Sequence, residues 1–117
     1  MIVDDEDSLL ELVKAILENE GLNVVPVRNG TECLERLKSL KPDLILMDMM
    51  MPVMSGRETT EKIRNNPKTK DIKIAFLTVA RFSEIGKDLL KEIKVSDYIT
   101  KPFDNEDLVA RVKKLLK

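Results

Sequence analysis

Residues 43–52 read DLILMDMMMP, and they predict the central strand around which the rest of the chain is arranged. The four apolar residues from Leu44 to Met47 are enough for one buried strand, and Asp48 follows them directly. A carboxylate at the end of an apolar run costs several kcal/mol, on the order of a desolvation penalty, unless other groups compensate its charge. The stretch therefore predicts a buried strand that presents Asp48 to compensating groups supplied by other parts of the chain.

Short apolar runs alternate with amphipathic segments along the whole sequence. Strands are predicted over residues 2–4, 24–27, 43–48, 72–78 and 97–100. Five helices are predicted. The first lies between a cap at Asp7 or Ser8 and a stop at Gly21, and the next three cover 31–40, about 57–66 and about 83–93. The last runs from an Asp104 cap to Leu116. This alternation is typical of α/β proteins, in which helices cover both faces of a parallel sheet. A chain of 117 residues is too short for an eight-stranded barrel, which needs at least about 200, so we expect an open, doubly wound sheet.

The order of the strands is less visible in the sequence than their number. Pro26 interrupts the second predicted strand, and a proline is tolerated best at a sheet edge, where its missing N–H is not needed. This hints at the order 2-1-3-4-5, in which the second strand is an edge strand. We therefore expect a flavodoxin-like (βα)5 fold.

Composition excludes several functional classes. At 117 residues, with 43% hydrophobic and 35% charged residues, we expect one globular domain over residues 1–117. A net charge of -1 gives no electrostatic case for binding nucleic acid or an anionic membrane, and no apolar stretch approaches the roughly 20 residues of a membrane span. The absence of histidine excludes Ser-His-Asp catalysis and His-ligated zinc, and it also excludes a phosphohistidine carrier. Cys33 is the only cysteine, which fits a reducing, cytoplasmic environment, and we interpret it as a small apolar residue on the inner face of a helix.

Polar side chains stand where the predicted strands end. Their set is Asp4 and Asp5 after strand 1, Asp48 after strand 3, Thr78 after strand 4 and Lys101 after strand 5. The carboxyl ends of parallel strands share one edge of the sheet, so these side chains are expected to converge. Three carboxylates repel one another unless a cation lies among them, and all-oxygen ligation suits Mg²⁺. With Lys101 as a second positive charge, the site is suited to a phosphoryl group that a carboxylate attacks in line.

At this point the sequence resembles the response-regulator receiver domains (CheY-like) of two-component signal transduction. The matching motifs are VDDE (3–6), DLILMDMMMPVMSG (43–56), FLT (76–78) and DYITKPF (97–103). The resemblance implies that Asp48 is the phosphoacceptor. It further implies that Mg²⁺ (Mn²⁺ is possible) is bound directly by Asp5, Asp48 and the backbone carbonyl of Met50, and through water by Asp4.

The same resemblance implies the roles of the residues that respond to the phosphoryl group. Lys101 contacts a phosphoryl oxygen, and its peptide bond to Pro102 is expected to be cis. Thr78 and Tyr98 form a switch pair that changes the surface of the predicted fourth helix, fifth strand and fifth helix.

Two positions depart from the family pattern. Val79 stands where alanine is usual, and its bulk is expected to slow phosphoryl transfer or the entry of water. Two neighbouring residues, Met50 and Ala80, border the site and are expected to tune the lifetime of the phosphoryl group. Lys94 stands where a glycine usually ends the fourth helix, so we expect a strained or differently wound turn there.

The resulting hypothesis is a phosphorylation-activated signalling switch. A sensor histidine kinase or phosphotransfer protein would supply the phosphoryl group, and an unknown protein would be the downstream target. The chain would catalyse only its own phosphorylation and dephosphorylation, as a monomer or a weak phosphorylation-dependent dimer. The alternative is a phosphate-independent interaction module on the same fold. An aspartyl phosphatase is disfavoured because Met50, not an acid, stands two residues after Asp48, and no glycine-rich nucleotide-binding motif is present.

Overall fold

The computed structural model describes residues 1–79 and 91–117. Within them lies one sheet of five parallel strands: β1 Ile2–Val3, β2 Pro26–Val27, β3 Leu44–Met47, β4 Lys73–Thr78 and β5 Asp97–Thr100. The order is β2-β1-β3-β4-β5, so the predicted 2-1-3-4-5 arrangement of a flavodoxin-like fold is confirmed. β1 therefore lies between β2 and β3, and the winding of the chain reverses between β1 and β3.

Four helices lie in the described parts of the chain: α1 Asp7–Glu18, α2 Gly30–Arg36, α3 Gly56–Arg64 and α4 Asn105–Leu115. Most of the helix predicted over 83–93 lies outside the described residues. Among the helices of the described ranges, none is both long enough and apolar enough to cross a bilayer.

The edge position predicted for the second strand is confirmed, but the strand is shorter than predicted. β2 consists of Pro26 and Val27 and pairs with β1 alone, so the missing N–H of Pro26 removes no ladder bond on its outer side. Val25 contributes only its carbonyl, which accepts a hydrogen bond from the N–H of Ile2 at 3.0 Å.

Successive strand residues point to opposite faces of the sheet, and each face packs against two of the four described helices. One face buries Val3, Ile45 and Phe76 together with Cys33 of α2 and Ile63 of α3. The other face buries a second set of apolar side chains, which includes Ile2, Leu46, Leu77, Val13 of α1 and Leu108 of α4. The interpretation of Cys33 as an apolar core residue is confirmed, and burial raises the pKa of its thiol to about 12.

The predicted start of the first helix is wrong. Neither Asp7 nor Ser8 caps α1; its N-cap is Glu6, whose side chain makes no capping bond. The N–H of Glu6 instead donates to Oδ1 of Asp4 at 2.9 Å. This bond does not cap the helix, but it ties the residue that precedes α1 to the end of β1.

The second helix is also shorter than the predicted 31–40. α2 begins at Gly30 because the side chain of Asn29 accepts a hydrogen bond from the N–H of Glu32, and it ends at Arg36. The predicted Asp104 cap of the last helix is confirmed, since its side chain accepts a hydrogen bond from the N–H of Glu106 at 3.1 Å.

The far end of α3 is fixed by Arg64, whose guanidinium donates to four backbone carbonyls. These belong to Lys70 (2.9 Å), Ile72 (2.8 Å), Ile93 (2.9 Å) and Lys94 (3.0 Å). Burial of the side chain lowers the pKa of Arg64 from its ordinary value. The residue joins the end of α3 to the start of β4 and to the turn that precedes β5.

The unusual turn expected at Lys94 is present. Lys94 has φ of 54°, in the left-handed region that glycine adopts without cost and other residues only with strain. The hydrogen bond from Arg64 to the Lys94 carbonyl is one of the contacts that hold it there.

Two adjacent threonines of α3 differ in one hydrogen bond, and this difference predicts opposite effects of the same substitution. Thr60 is fully buried, and its Oγ1 has no hydrogen-bond partner. Thr60→Val is therefore expected to raise the free energy of unfolding by about 1 kcal/mol, because it removes an unsatisfied hydroxyl at nearly constant volume.

Thr59→Val is the matched control. Thr59 is equally buried, but its Oγ1 donates to the carbonyl of Ser55 at 2.8 Å, so its valine variant is expected to lose about 1 kcal/mol. Urea denaturation measures both values. Equal losses of unfolding free energy in the two variants would contradict the conclusion that the Thr60 hydroxyl is unsatisfied and the Thr59 hydroxyl is not.

Candidate functional site

The carboxyl edge of the sheet carries the polar side chains that the sequence placed at strand ends. Asp4 and Asp5 follow β1, Asp48 follows β3, Thr78 is the last residue of β4, and Lys101 follows β5. Because β1 and β3 are neighbours in the sheet, the three aspartates meet where the winding reverses. The structure thus brings together side chains that are up to 97 residues apart in the sequence.

Asp4, Asp5 and Asp48 form the acidic cluster. Each of the three offers one carboxylate oxygen, and these oxygens all lie within 4.8 Å of one another. Asp4 is 1% exposed and Asp48 is 4% exposed, whereas Asp5 is exposed to solvent. Like charges this close repel one another, and a nearby cation offsets that repulsion.

Lys101 supplies a positive charge to the acidic cluster. Its Nζ lies 2.6 Å from Oδ2 of Asp4 and 3.7 Å from Oδ2 of Asp48, and only 11% of its side chain is exposed. The Lys101–Pro102 peptide bond, expected to be cis, is cis. The shorter of the two ion pairs is with Asp4, so Lys101 is primarily the counter-ion of Asp4 in this structure.

The ionisation of Asp48 is opposed by its surroundings. Burial raises the pKa of the Asp48 carboxyl and outweighs the effects that lower it, which come first from the N–H of Met50 and then from the charge of Lys101. The charge of Asp4 raises the pKa further, and a hydrogen bond from Thr78 lowers it. An additional positive charge beside Asp48 would therefore favour its ionised form.

The loop after Asp48 turns the chain back onto it. The N–H of Met50 donates to Oδ1 of Asp48 at 3.1 Å, while the Met50 side chain is 60% exposed at the rim of the site. Met51 points inward and is 8% exposed. At Val53, φ is 69°, and the N–H of Met54 bonds the carbonyl of Pro52 across it, which closes a tight three-residue turn.

Gly56 is a site residue whose role sequence reasoning missed. It begins α3, and its N–H donates to the carbonyl of Met49 at 3.0 Å. A Cβ at this position would overlap the carbonyl oxygen of Asp48 and lie 2.8 Å from its carbonyl carbon. The signal in the sequence is the glycine that ends the motif MPVMSG, directly before the helix predicted from about residue 57.

The remaining predicted residues lie around this centre. Thr78 is fully buried at the end of β4 and bonds Asp48, and Val79 follows it with 60% of its surface exposed. Tyr98 lies on β5, half-buried, with its ring packed edge-on against Phe76 at a centroid distance of 6.2 Å. Ala80 lies outside the described residues.

The acidic cluster fits a hard divalent cation. Its donors are all oxygens, two are buried and one faces solvent, and their oxygens are close enough for a single ion to contact them. Mg²⁺ typically takes only one or two protein carboxylates and completes its shell with water or phosphate oxygens. The exposure of Asp5 leaves an entry path on that side.

The raised pKa of Asp48 predicts a pH-dependent stability difference. A carboxyl whose pKa is higher in the folded than in the unfolded chain destabilises the fold when it ionises, so this penalty appears as the pH rises through the two pKa values. Asp48→Asn is therefore expected to be more stable than the wild type at pH 7 without divalent metal. The advantage should shrink as the pH falls toward the ordinary aspartate value of 3.8.

Thermal denaturation in a chelating buffer at a series of pH values measures this difference. Asp43→Asn, which removes an exposed carboxylate just before β3, is the control for the loss of one negative charge. A wild type that is more stable than Asp48→Asn at pH 7 would contradict the assigned burial penalty.

Comparison with known proteins agrees with this geometry. Residues 1–113 match the family model of the response regulator receiver domain. Over 117 residues the chain is 35% identical to the alkaline phosphatase synthesis transcriptional regulatory protein PhoP of Bacillus subtilis and 37% identical to the transcriptional regulatory protein CpxR of Escherichia coli. Each match covers all of this chain but 48% of the relative, so the chain spans about half the length of these curated relatives.

Solved structures show the same fold. The chemotaxis protein CheY4 of Vibrio cholerae superposes with a TM-score of 0.89 at 29% identity, over 97% of this chain and 94% of that one. The response regulator TrrA of Thermotoga maritima, solved in complex with Mg²⁺-BeF, gives a TM-score of 0.83 at 38% identity, over 97% and 95% of the two chains. With the family model, the curated relatives and the acidic cluster in agreement, the chain belongs to the response regulator receiver domain family of two-component systems.

Proposed function

We propose that this receiver domain is a signalling switch activated by transfer of a phosphoryl group onto Asp48. The observation that carries the proposal is the placement of Asp48, buried at the carboxyl edge of the sheet with Lys101 and two further carboxylates beside it. A fold gains nothing from such a charge by itself, because its burial is unfavourable. The buried carboxylate has a use in a site that binds a cation and accepts a phosphoryl group.

In the proposed reaction, a carboxylate oxygen of Asp48 attacks the phosphorus of a phosphohistidine. The bond from phosphorus to the donor nitrogen breaks as the bond to the Asp48 oxygen forms, which leaves an acyl phosphate. The later attack of water on phosphorus breaks that bond and restores the carboxylate. The chain thus promotes only its own phosphorylation and dephosphorylation, and it is not an enzyme for a separate metabolite.

Two residues are proposed to bind the transferred group. Lys101 donates to a phosphoryl oxygen, for which it exchanges part of its ion pair with Asp4; its Nζ is already 3.7 Å from Asp48. Thr78 donates through its hydroxyl from the end of the neighbouring strand β4. Hydrogen bonds to a charged acceptor of this kind are about twice as strong as neutral ones.

We propose Mg²⁺ as the cofactor, with Mn²⁺ as a possible substitute. Asp5, Asp48 and the backbone carbonyl of Met50 would hold the ion directly, and Asp4 through water. When bound, the ion neutralises negative charge on the carboxylates and on the phosphoryl oxygens. The hydrogen bond from the Met50 N–H to Asp48 supports this ligand set, because it keeps the Met50 backbone beside Asp48.

Thr78 and Tyr98 are proposed to pass the signal on. As Thr78 moves toward the phosphoryl group, space opens for the Tyr98 ring, which is half-buried against Phe76. The surface formed by β5, α4 and the predicted helix over 83–93 changes with it. To move such a two-state equilibrium from 1:99 to 99:1, phosphorylation must favour one state by roughly 5.5 kcal/mol.

The side chains at the rim are proposed to set the lifetime of the acyl phosphate. Met50 and Val79 are each 60% exposed, and both directly flank residues of the site. Together with Ala80 they would control how readily water reaches the phosphorus. An aspartyl phosphatase would need an acid at Met50, and none is present there.

The partners follow from what the chain lacks. It contains no histidine that could carry a phosphoryl group, and we propose that a sensor histidine kinase or a phosphotransfer protein supplies it. A net charge of -1 gives this domain no basis for direct nucleic-acid binding, and we propose a protein as its downstream target, in the cytoplasm. We propose a monomer or a weak phosphorylation-dependent dimer.

Mass spectrometry after incubation with Mg²⁺ and acetyl phosphate tests the proposal. The wild type is expected to gain one adduct of about 80 Da, the mass of a phosphoryl group. Asp48→Asn is expected to gain none, because the amide nitrogen and oxygen do not form the acyl phosphate. Omission of Mg²⁺ with added chelator is expected to abolish the adduct as well.

Asp43→Asn keeps the acidic cluster and should be labelled like the wild type. Wild type that remains unlabelled while folded would refute the phosphorylation switch and favour the phosphate-independent interaction module. An adduct that persists in Asp48→Asn would place the phosphoacceptor elsewhere.

A further inference from the structure

The first residue of α3 lies directly against the phosphoacceptor. A Cβ at Gly56 would overlap the Asp48 carbonyl oxygen, and the Gly56 N–H bonds the Met49 carbonyl at 3.0 Å. Where two backbone segments are packed this closely, one segment has no room to shift without the other. A displacement of the Asp48 main chain must therefore move the start of α3 with it.

The last residue of α3 holds a different part of the molecule. Arg64 lies about 12 Å further along the helix axis than Gly56, at 1.5 Å per residue. Its Nε donates to the carbonyl of Ile93 at 2.9 Å and its Nη2 to that of Lys94 at 3.0 Å. The helix thus touches the phosphoacceptor at one end and the turn at Ile93 and Lys94 at the other.

That turn leads directly into β5. Lys94 is in the left-handed region, and the N–H of Ser96 then donates to the carbonyl of Ile74 on β4 at 2.8 Å. Tyr98 follows on β5, opposite Phe76 of β4. A movement of the turn therefore acts on the strand that carries Tyr98.

The chemistry of arginine suits this link. A planar guanidinium presents five N–H donors in a fixed fork, so it binds carbonyls of two separate segments at once. Arg64 uses this to hold Lys70 and Ile72 on one side and Ile93 and Lys94 on the other. A lysine keeps the charge but cannot span both segments in the same geometry.

We propose that Arg64 is a positioning residue that couples Asp48 to Tyr98 through α3. The inference rests on the proposed phosphorylation of Asp48. Movement of the Asp48 main chain on phosphorylation is carried by α3 as a rigid element to Arg64, and from Arg64 to the turn at Ile93 and Lys94. This route runs along the helix and is separate from the side-chain route through Thr78.

Tyrosine fluorescence reports the end of the route. Tyr98 is the only tyrosine and the chain has no tryptophan, so the intrinsic emission comes from this ring. The experiment compares the fluorescence change on adding Mg²⁺ and beryllium fluoride, a stable mimic of the phosphoryl group, in wild type, Arg64→Lys and Arg64→Gln. Labelling by acetyl phosphate, measured by mass spectrometry, is recorded for the same proteins.

Both Arg64 variants are expected to be labelled to within about twofold of wild type, while the Tyr98 fluorescence change falls to about half or less. Arg57→Gln is the matched control, because Arg57 is on the same helix but pairs only with the exposed Glu61 at 2.9 Å among the described contacts. It is expected to keep the wild-type fluorescence change.

A full fluorescence change in both Arg64 variants would overturn the proposal, and so would a wild type that is labelled without any fluorescence change. Failure of wild type to be labelled refutes the proposed function itself, and the mass spectrum distinguishes that result. Circular dichroism checks folding: if Arg64→Gln is unfolded, Arg64→Lys decides. If both are unfolded, Arg64 is a structural clamp only and the proposal is wrong.

Discussion

The ion pair between Lys101 and Asp4 compensates a concentration of negative charge that the fold would otherwise not tolerate. Three carboxylates meet at the carboxyl edge of the sheet, and burial, followed by the charge of Asp4, raises the pKa of Asp48. Lys101, with an Nζ–oxygen distance of 2.6 Å to Asp4, is the nearest positive charge that the described structure places among them. The neighbouring positions of β1 and β3 and the return of the chain after β5 all serve to bring these groups together.

The need to hold these charged residues close together also explains how the site is connected to the rest of the molecule. Asp48 is held by the strand before it and by the loop after it, and α3 begins in contact with its carbonyl because residue 56 is a glycine. Asp4 also accepts a hydrogen bond from the N–H of Glu6, which fixes the start of α1. Two of the charged residues of the site, Asp4 and Asp48, therefore also contact the starts of α1 and α3. A change of charge at the site is expected to shift these helices.

Much of the fold and of the candidate site was predictable because it depends on local sequence patterns. The apolar run before Asp48 predicts β3, the proline in the second strand predicts an edge, and parallel strands bring their polar ends to one place. The convergence of Asp4, Asp5, Asp48, Thr78 and Lys101 follows from topology alone once the strand order is known. The Asp104 cap is likewise local, since its partner is only two residues away.

What the sequence could not show depends on contacts between distant segments. The start of α1 is an exception, because its N-cap Glu6 makes no side-chain capping bond and the Glu6 N–H is bound by Asp4, two residues earlier. Arg64 gave no signal, since a lone arginine at the end of a helix is ordinarily exposed, and its carbonyl partners lie up to 30 residues away. The preference of Lys101 for Asp4 over Asp48 is a matter of about 1 Å, which no spacing in the sequence encodes.

Calorimetric titration with Mg²⁺ tests most directly whether Lys101 balances the acidic cluster in the absence of metal. If it does, the metal and the ammonium compete for the same carboxylates, so Lys101→Met, verified as folded, is expected to bind Mg²⁺ several-fold more tightly than wild type, roughly 1 kcal/mol or more in binding free energy. Equal or weaker binding by Lys101→Met would contradict the account.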